Sequence, residues 1–86
     1  MEWEREDGYS CASVGTTHLV AEQWLGRPDL WAAYVSMSTL TIRGGHYKDV
    51  AFHSREEAEV AAVELLVKHV KDMAAIIGYK VVKEQE

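Results

Sequence analysis

The sequence predicts an α+β domain, an antiparallel sheet of three to five strands with one long C-terminal helix, about 55–77, packed on one face. Three observations carry this. Ser54 followed by Glu57 has the spacing of a capping box, in which hydroxyl and carboxylate satisfy the free backbone donors of a first helical turn. Gly78 supplies a residue able to turn left-handed and stop the helix. Upstream, apolar residues alternate with polar or small ones over short runs, as half-buried strands require.

Residues 3–6 and 9–14 read as two short strands joined by an Asp7-Gly8 turn. Gly15-Thr16-Thr17 follows. Residues 18–24 read as a strand, with a short helix capped by Thr17 and stopped by Gly26 as the competing reading. Gly26-Arg27-Pro28-Asp29 is then a loop. Trp31, Ala33, Val35 and Met37 alternate as one buried strand face, with a helix over 29–38 as the alternative. Leu40 and Ile42, the break at Gly44-Gly45, and Val50 and Phe52 suggest a hairpin. A three-residue loop would set Leu40 opposite Val50 and keep the apolar residues on one face. Tyr79-Lys80-Val81-Val82-Lys83 has strand character and would add an edge, and residues 84–86 are expected to fray.

Along the helix, Val60, Val63, Val67, Val70, Ala74 and Ile77 recur at spacings of three and four. With Leu66 and Met73 they fill an arc of about 140°, at 100° per residue, and this is the expected core stripe. Glu57, Glu64, Lys68, Lys71 and Asp72 form a charged arc in which Glu64 and Lys68 are spaced for an ion pair. The remaining arc holds Ala58, Ala61, Ala62, Leu65, His69 and Ile76. Alanine suits any helix by propensity alone. A helix with two apolar faces nevertheless has room for two partners, and this arc is the candidate surface for a partner protein or a second copy.

Composition bounds the function. The 86 residues are expected to form a single domain, 1–86, with 48% apolar residues and one proline. A single cysteine, Cys11, leaves no intrachain disulfide and no cysteine pair for a metal knuckle, which favours a reducing compartment. No apolar run approaches the roughly 20 residues of a bilayer span, and the acidic start lacks the layout of a signal peptide. A cytoplasmic protein is expected. The net charge is −5, with Glu2, Glu4, Glu6 and Asp7 against Arg5 at the start and Glu56, Glu57 and Glu59 in the first helical turns. The latter suit the helix dipole. This balance disfavours broad attraction to nucleic acid.

Catalytic and metal chemistry find no spacing to support them. His46 and His53 fall at opposite ends of one expected strand, about 20 Å apart and on opposite faces. No His-x-x-x-His, Cys-x-x-Cys or paired-carboxylate motif occurs. Cys11 reads as a small buried thiol. We therefore expect no enzyme, no cofactor and no metal. The one cluster of basic and aromatic residues on an expected loop is Arg43, His46, Tyr47 and Lys48, which could stack on a base or hold a phosphate. Sheet-plus-helix topology resembles the double-stranded-RNA-binding fold, whose basic helix start is replaced here by Arg55-Glu56-Glu57. Trp31 fits the core. Trp3 and Trp24 are suited either to an interface or to capping the open ends of the sheet.

Trp3, Gly8-Tyr9, Ala12-x-Val14-Gly15, Trp31-x-x-Tyr34-Val35 and Phe52-x-Ser54-x-Glu56-Glu57-Ala58 together give a layout that resembles the short open reading frames of bacteriophages and mobile elements. The resemblance implies a small acidic binder of the anti-CRISPR or anti-defence inhibitor type, in the host cell cytoplasm and possible as a dimer. Its partner would be a host or defence protein, blocked sterically or by an acidic surface. On this reading the partner-binding residues are Ala58, Ala62, Leu65, His69 and Ile76 of the helix arc, with Glu56 and Glu57, and Glu2, Glu4 and Glu6 extending the acidic surface. The alternatives are a small nucleic-acid-binding module using residues 43–48, and a structural subunit without independent activity.

Overall fold

The computed structural model describes residues 1–78. Five strands form an antiparallel meander in the order β1-β2-β3-β4-β5: β1 (Glu4–Glu6), β2 (Tyr9–Val14), β3 (Thr17–Trp24), β4 (Arg27–Met37) and β5 (Leu40–Gly44). A 3-10 turn (Lys48–Val50) leads to α1 (Arg55–Ile76), which lies across one face of the sheet, chiefly over β3 and β4. The fold is α+β, as the sequence predicts. The expected edge strand 79–83 and the expected fraying of 84–86 fall outside the described residues.

Each neighbouring pair of strands is consecutive in sequence, so short turns set the registers. Glu6 pairs with Tyr9 across Asp7-Gly8, and Val14 with Thr17 across Gly15-Thr16. Residues 18–24 and 29–38 are strand rather than helix. The turn after β3 is confined to Leu25-Gly26, so Arg27, Pro28 and Asp29 belong to β4 and not to a loop. A bulge absorbs them. Gln23 pairs with Trp31 but Trp24 pairs with Arg27, leaving residues 28–30 outside the ladder. Pro28, which has no N–H to donate, is tolerated there, and its carbonyl accepts from the Gln23 Nε2 at 2.8 Å.

The hairpin expected over 40–52 does not form. Leu40 pairs with Met37 and Ile42 with Val35, so β5 folds back on β4 through Ser38-Thr39. Strand β4 is long enough to offer an open edge, and this register puts Ile42 beside Val35 on the helix side. Gly44-Gly45 is therefore an exit from the sheet and not a hairpin turn. Gly45 has φ +77°, and a Cβ there would lie 2.8 Å from Phe52 Cε2 and 3.0 Å from the Trp31 carbonyl. The chain then returns to β4, where Trp31 and Phe52 exchange backbone hydrogen bonds of 2.8 and 2.9 Å. His46 and His53 consequently do not share a strand.

The helix ends are as expected. Ser54 Oγ accepts from the Glu57 N–H at 3.1 Å, and Gly78 leaves the helix at φ +82°. The Glu57 carboxylate reaches back one residue further than in a regular capping box, accepting from the His53 N–H at 2.8 Å.

The rotation of α1 about its axis is not as expected. The core joins Leu19, Ala21, Trp31, Ala33 and Val35 of the sheet to Ala58 and Ala62 of the helix, both fully buried. Val60, Val67, Val70, Met73 and Ile77, assigned from their spacing to the core, are exposed. Two polar anchors one turn apart fix the rotation. Arg55 lies over the Trp31 ring, 5.2 Å from its centroid, and donates to the Glu6 carbonyl at 2.7 Å. Glu59, also buried, pairs with Arg5 of β1. With Arg55 and Glu59 turned to the sheet, Ala58, Ala62 and Leu66 follow at helical spacing, and the small side chains of the two alanines let the helix approach the bulky Trp31 and Leu19.

Candidate functional site

The helix arc expected to receive a partner is divided. Ala58 and Ala62 are sealed against the sheet of their own chain and are not available to a partner, which corrects the sequence expectation. Leu65 is half-buried, its Cδ1 within 3.6 Å of where a Gly44 Cβ would be, so it too belongs to the packing. His69 is half-buried, and only Ile76 is freely exposed.

The acidic surface is also diluted. Glu57 is committed to the helix cap. Glu4, Glu6 and Glu56 are exposed, but Arg5 and Arg55 lie among them: Arg5 holds Glu59, and Arg55 donates to the Glu6 carbonyl. The side chains offered for nucleic-acid binding are dispersed rather than gathered at a hairpin tip. Arg43 pairs with Tyr34 in the ladder, on the sheet face away from α1. His46 lies in a shallow depression with Glu22, Gln23 and Trp24, while Tyr47 and Lys48 are exposed on the segment entering the 3-10 turn. Glu22 beside His46 is unfavourable for a phosphate.

The sheet face opposite α1 carries Tyr9, Cys11, Val20, Glu22, Tyr34 and Arg43 in adjacent registers. Val20 is only 3% exposed despite this position, and Cys11 is half-buried. Burial first, and then the neighbouring Cys11 thiol, push the Tyr9 hydroxyl up to about 12. Burial likewise raises Tyr34. His18 Nδ1 and Ser13 Oγ are 2.9 Å apart at the far end of the same face. Among the described residues no three histidine, cysteine or carboxylate side chains converge as metal ligands would. Trp3 packs partly on the core, and Trp24 donates from Nε1 to the Gly45 carbonyl at 3.0 Å, holding the exit of β5.

The most unusual surface is the one assigned by sequence to the core. Val60, Val67 and Val70 are between 43% and 57% exposed along one side of α1, and Met73 and Ile77, which repeat the azimuths of Arg55 and Glu59 five turns on, are exposed in its last turns. Val63, in the same row, packs partly against the core. Val60 also borders an open groove with Ala51, Phe52, His53 and Ala61. The charged row beside this stripe is ordered differently from expectation. Lys68 pairs with Asp72 at 2.8 Å and not with Glu64. The 3-4 spacing made the stripe legible in sequence, whereas the side it faces depended on Arg55 and Glu59. No helix among the described residues is long and apolar enough to cross a membrane. No family of known proteins, no curated protein and no solved structure matches this chain.

Proposed function

We propose that this chain is a small protein-binding protein that presents the outer face of α1 to its partner, in keeping with the inhibitor class implied by its phage-like layout. One observation carries the reading: large apolar side chains, Val60, Val67 and Val70 along one side of α1 with Met73 and Ile77 in its last turns, stand exposed while alanines seal the inner face. Apolar side chains scattered singly over a surface are ordinary; a contiguous row on a rigid helix is the form of an interface. The acidic residues Glu4, Glu6 and Glu56 would contribute steering more than affinity.

Capture with tagged wild type and tagged Val67→Asp, followed by mass spectrometry, tests this. A partner retained by wild type and lost by a variant of unchanged circular dichroism supports the apolar row as the interface. Identical recoveries, with identical masses in solution, overturn it. Nucleic acid eluting from wild type and absent after alanine substitution of Arg43, Tyr47 and Lys48 would support the nucleic-acid module in its place.

A further inference from the structure

We infer that the partner of this row is a second copy of the chain, docked antiparallel along α1; the inference rests on the protein-binding reading above. The row has the strict 3-4 repeat of a two-helix seam, with Val60, Val67 and Ala74 at one core position and Val63, Val70 and Ile77 at the other. Glu64 and Lys71 flank it on one side, Leu66 and Met73 on the other.

Reversing the second helix makes these flanks self-complementary. With Val67 facing Val70 of the second copy, Val60 meets the partner subunit's Ile77 and Val63 meets the partner subunit's Ala74. In the same alignment Glu64 falls beside the partner subunit's Lys71, and by symmetry Lys71 beside its Glu64. On the opposite flank Leu66 is packed on its own core and only Met73 is exposed. The interface is isologous, as a two-fold dimer requires. A parallel arrangement does the opposite. It sets Leu66 near the second copy's Lys71 and gives Glu64 no opposite charge, since Glu59 is turned to the sheet and held by Arg5.

The structure leaves these groups free to act. Glu64 and Lys71 are exposed, and among the described residues neither takes an ion pair, since Lys68 turns to Asp72. Exposure is concentrated in the second half of α1, where Val67, Val70, Met73, Ile76 and Ile77 all face solvent. The antiparallel arrangement brings that half against the partner's first half, whose Val60 and Val63 lie beside its own sheet. Ala74 is buried and Val63 half-buried within their own chain, so the contacts of the seam come from Val67 with Val70 and from Val60 with Ile77.

Sedimentation equilibrium on the full chain tests this directly. Wild type is expected at twice the monomer mass of 9.7 kDa, and Val67→Asp at the monomer mass with its helix signal intact. Glu64→Lys and Lys71→Glu each turn two attractive contacts into two repulsive ones, which should weaken the dimer about tenfold. The double variant Glu64→Lys/Lys71→Glu should recover wild-type affinity, a rescue that only the antiparallel pairing provides. A monomeric wild type overturns the inference, as does a dimer indifferent to Val67→Asp or a double variant without rescue. If wild type is monomeric yet loses a different protein on Val67→Asp substitution, the second copy is excluded while the protein-binding reading stands.

Discussion

Arg5 on β1 and Glu59 in the second turn of α1 meet across 54 positions of sequence in a bidentate pair. Nε donates to Oε2 and Nη2 to Oε1, each at 2.9 Å. Glu59 is almost wholly buried there, while the Arg5 side chain remains about half exposed. The pair ties the outermost strand to the helix, and with Arg55 it decides which side of α1 meets the sheet.

The guanidinium's hydrogen bonds hold the Glu59 carboxyl below its ordinary value of 4.5. A carboxyl lowered in the folded state stabilises the fold above the unfolded value, and that contribution is lost as pH falls through the folded one. Wild type should therefore melt several degrees above Glu59→Gln at pH 7, and the gap should close as pH is lowered below 4.5. Thermal melts between pH 3 and 7 measure this. A gap of constant size down to pH 3 would mean that the charge of Glu59 contributes nothing.

Tyr9 gives the corresponding effect at alkaline pH. Its ionisation is displaced from 10.0 to about 12 because the folded sheet desolvates the phenol. A raised folded value contributes stability below pH 10 that disappears as pH rises toward 12, since the unfolded chain ionises first. Tyr9→Phe should show a shallower fall in melting temperature between pH 9.5 and about 11.5. Absorbance at 295 nm should also lose a late-titrating tyrosine in that variant. Equal slopes for the two proteins would place the phenol in water.

The legible parts of this fold were those specified locally. Turn residues at Asp7-Gly8, the alternation from Trp31 to Met37, and the Ser54 and Gly78 helix ends each carry their own signal within a few residues. What was misread depended on distant partners. Gly44-Gly45 resembles a hairpin turn until Trp31 and Phe52 are seen to close around Gly45. The valine row outranks Ala58 and Ala62 by hydrophobicity, yet the side of α1 that meets the sheet is set by Arg5, on another element, and by the stacking of Arg55 on Trp31. The stripe was thus visible, and Val63, Leu66 and Ala74 in it are covered as expected, while Val60, Val67 and Val70 stand outside the contact with the sheet.

The close approach of α1 to the sheet can be tested at Ala62. Ala62 is fully buried in the core cluster, so the extra methylenes of Ala62→Leu must displace the helix or its neighbours. Overpacking of this kind costs about 1–3 kcal/mol. Were the valine row inward instead, position 62 would lie toward solvent and leucine there would be nearly neutral. Urea unfolding distinguishes these outcomes through the midpoint at constant slope.

Gly45 and Gly15 separate conformational strain from steric conflict. Both have positive φ, +77° and +60°, but nothing lies within 4 Å of a Cβ at Gly15, whereas one at Gly45 meets the Phe52 ring and the Trp31 carbonyl. Gly15→Ala should cost only the left-handed backbone penalty, about 1–2 kcal/mol. Gly45→Ala carries that penalty and must also push Phe52 away from the Trp31 bridge, so its cost should exceed that of Gly15→Ala by at least about 1 kcal/mol. Because Phe52 lies two residues before the Ser54 helix cap, the damage should also appear as faster amide exchange at Ala58, whose N–H bonds the Ser54 carbonyl at 3.2 Å. Equal losses for the two variants would show that the return of the chain to β4 tolerates displacement.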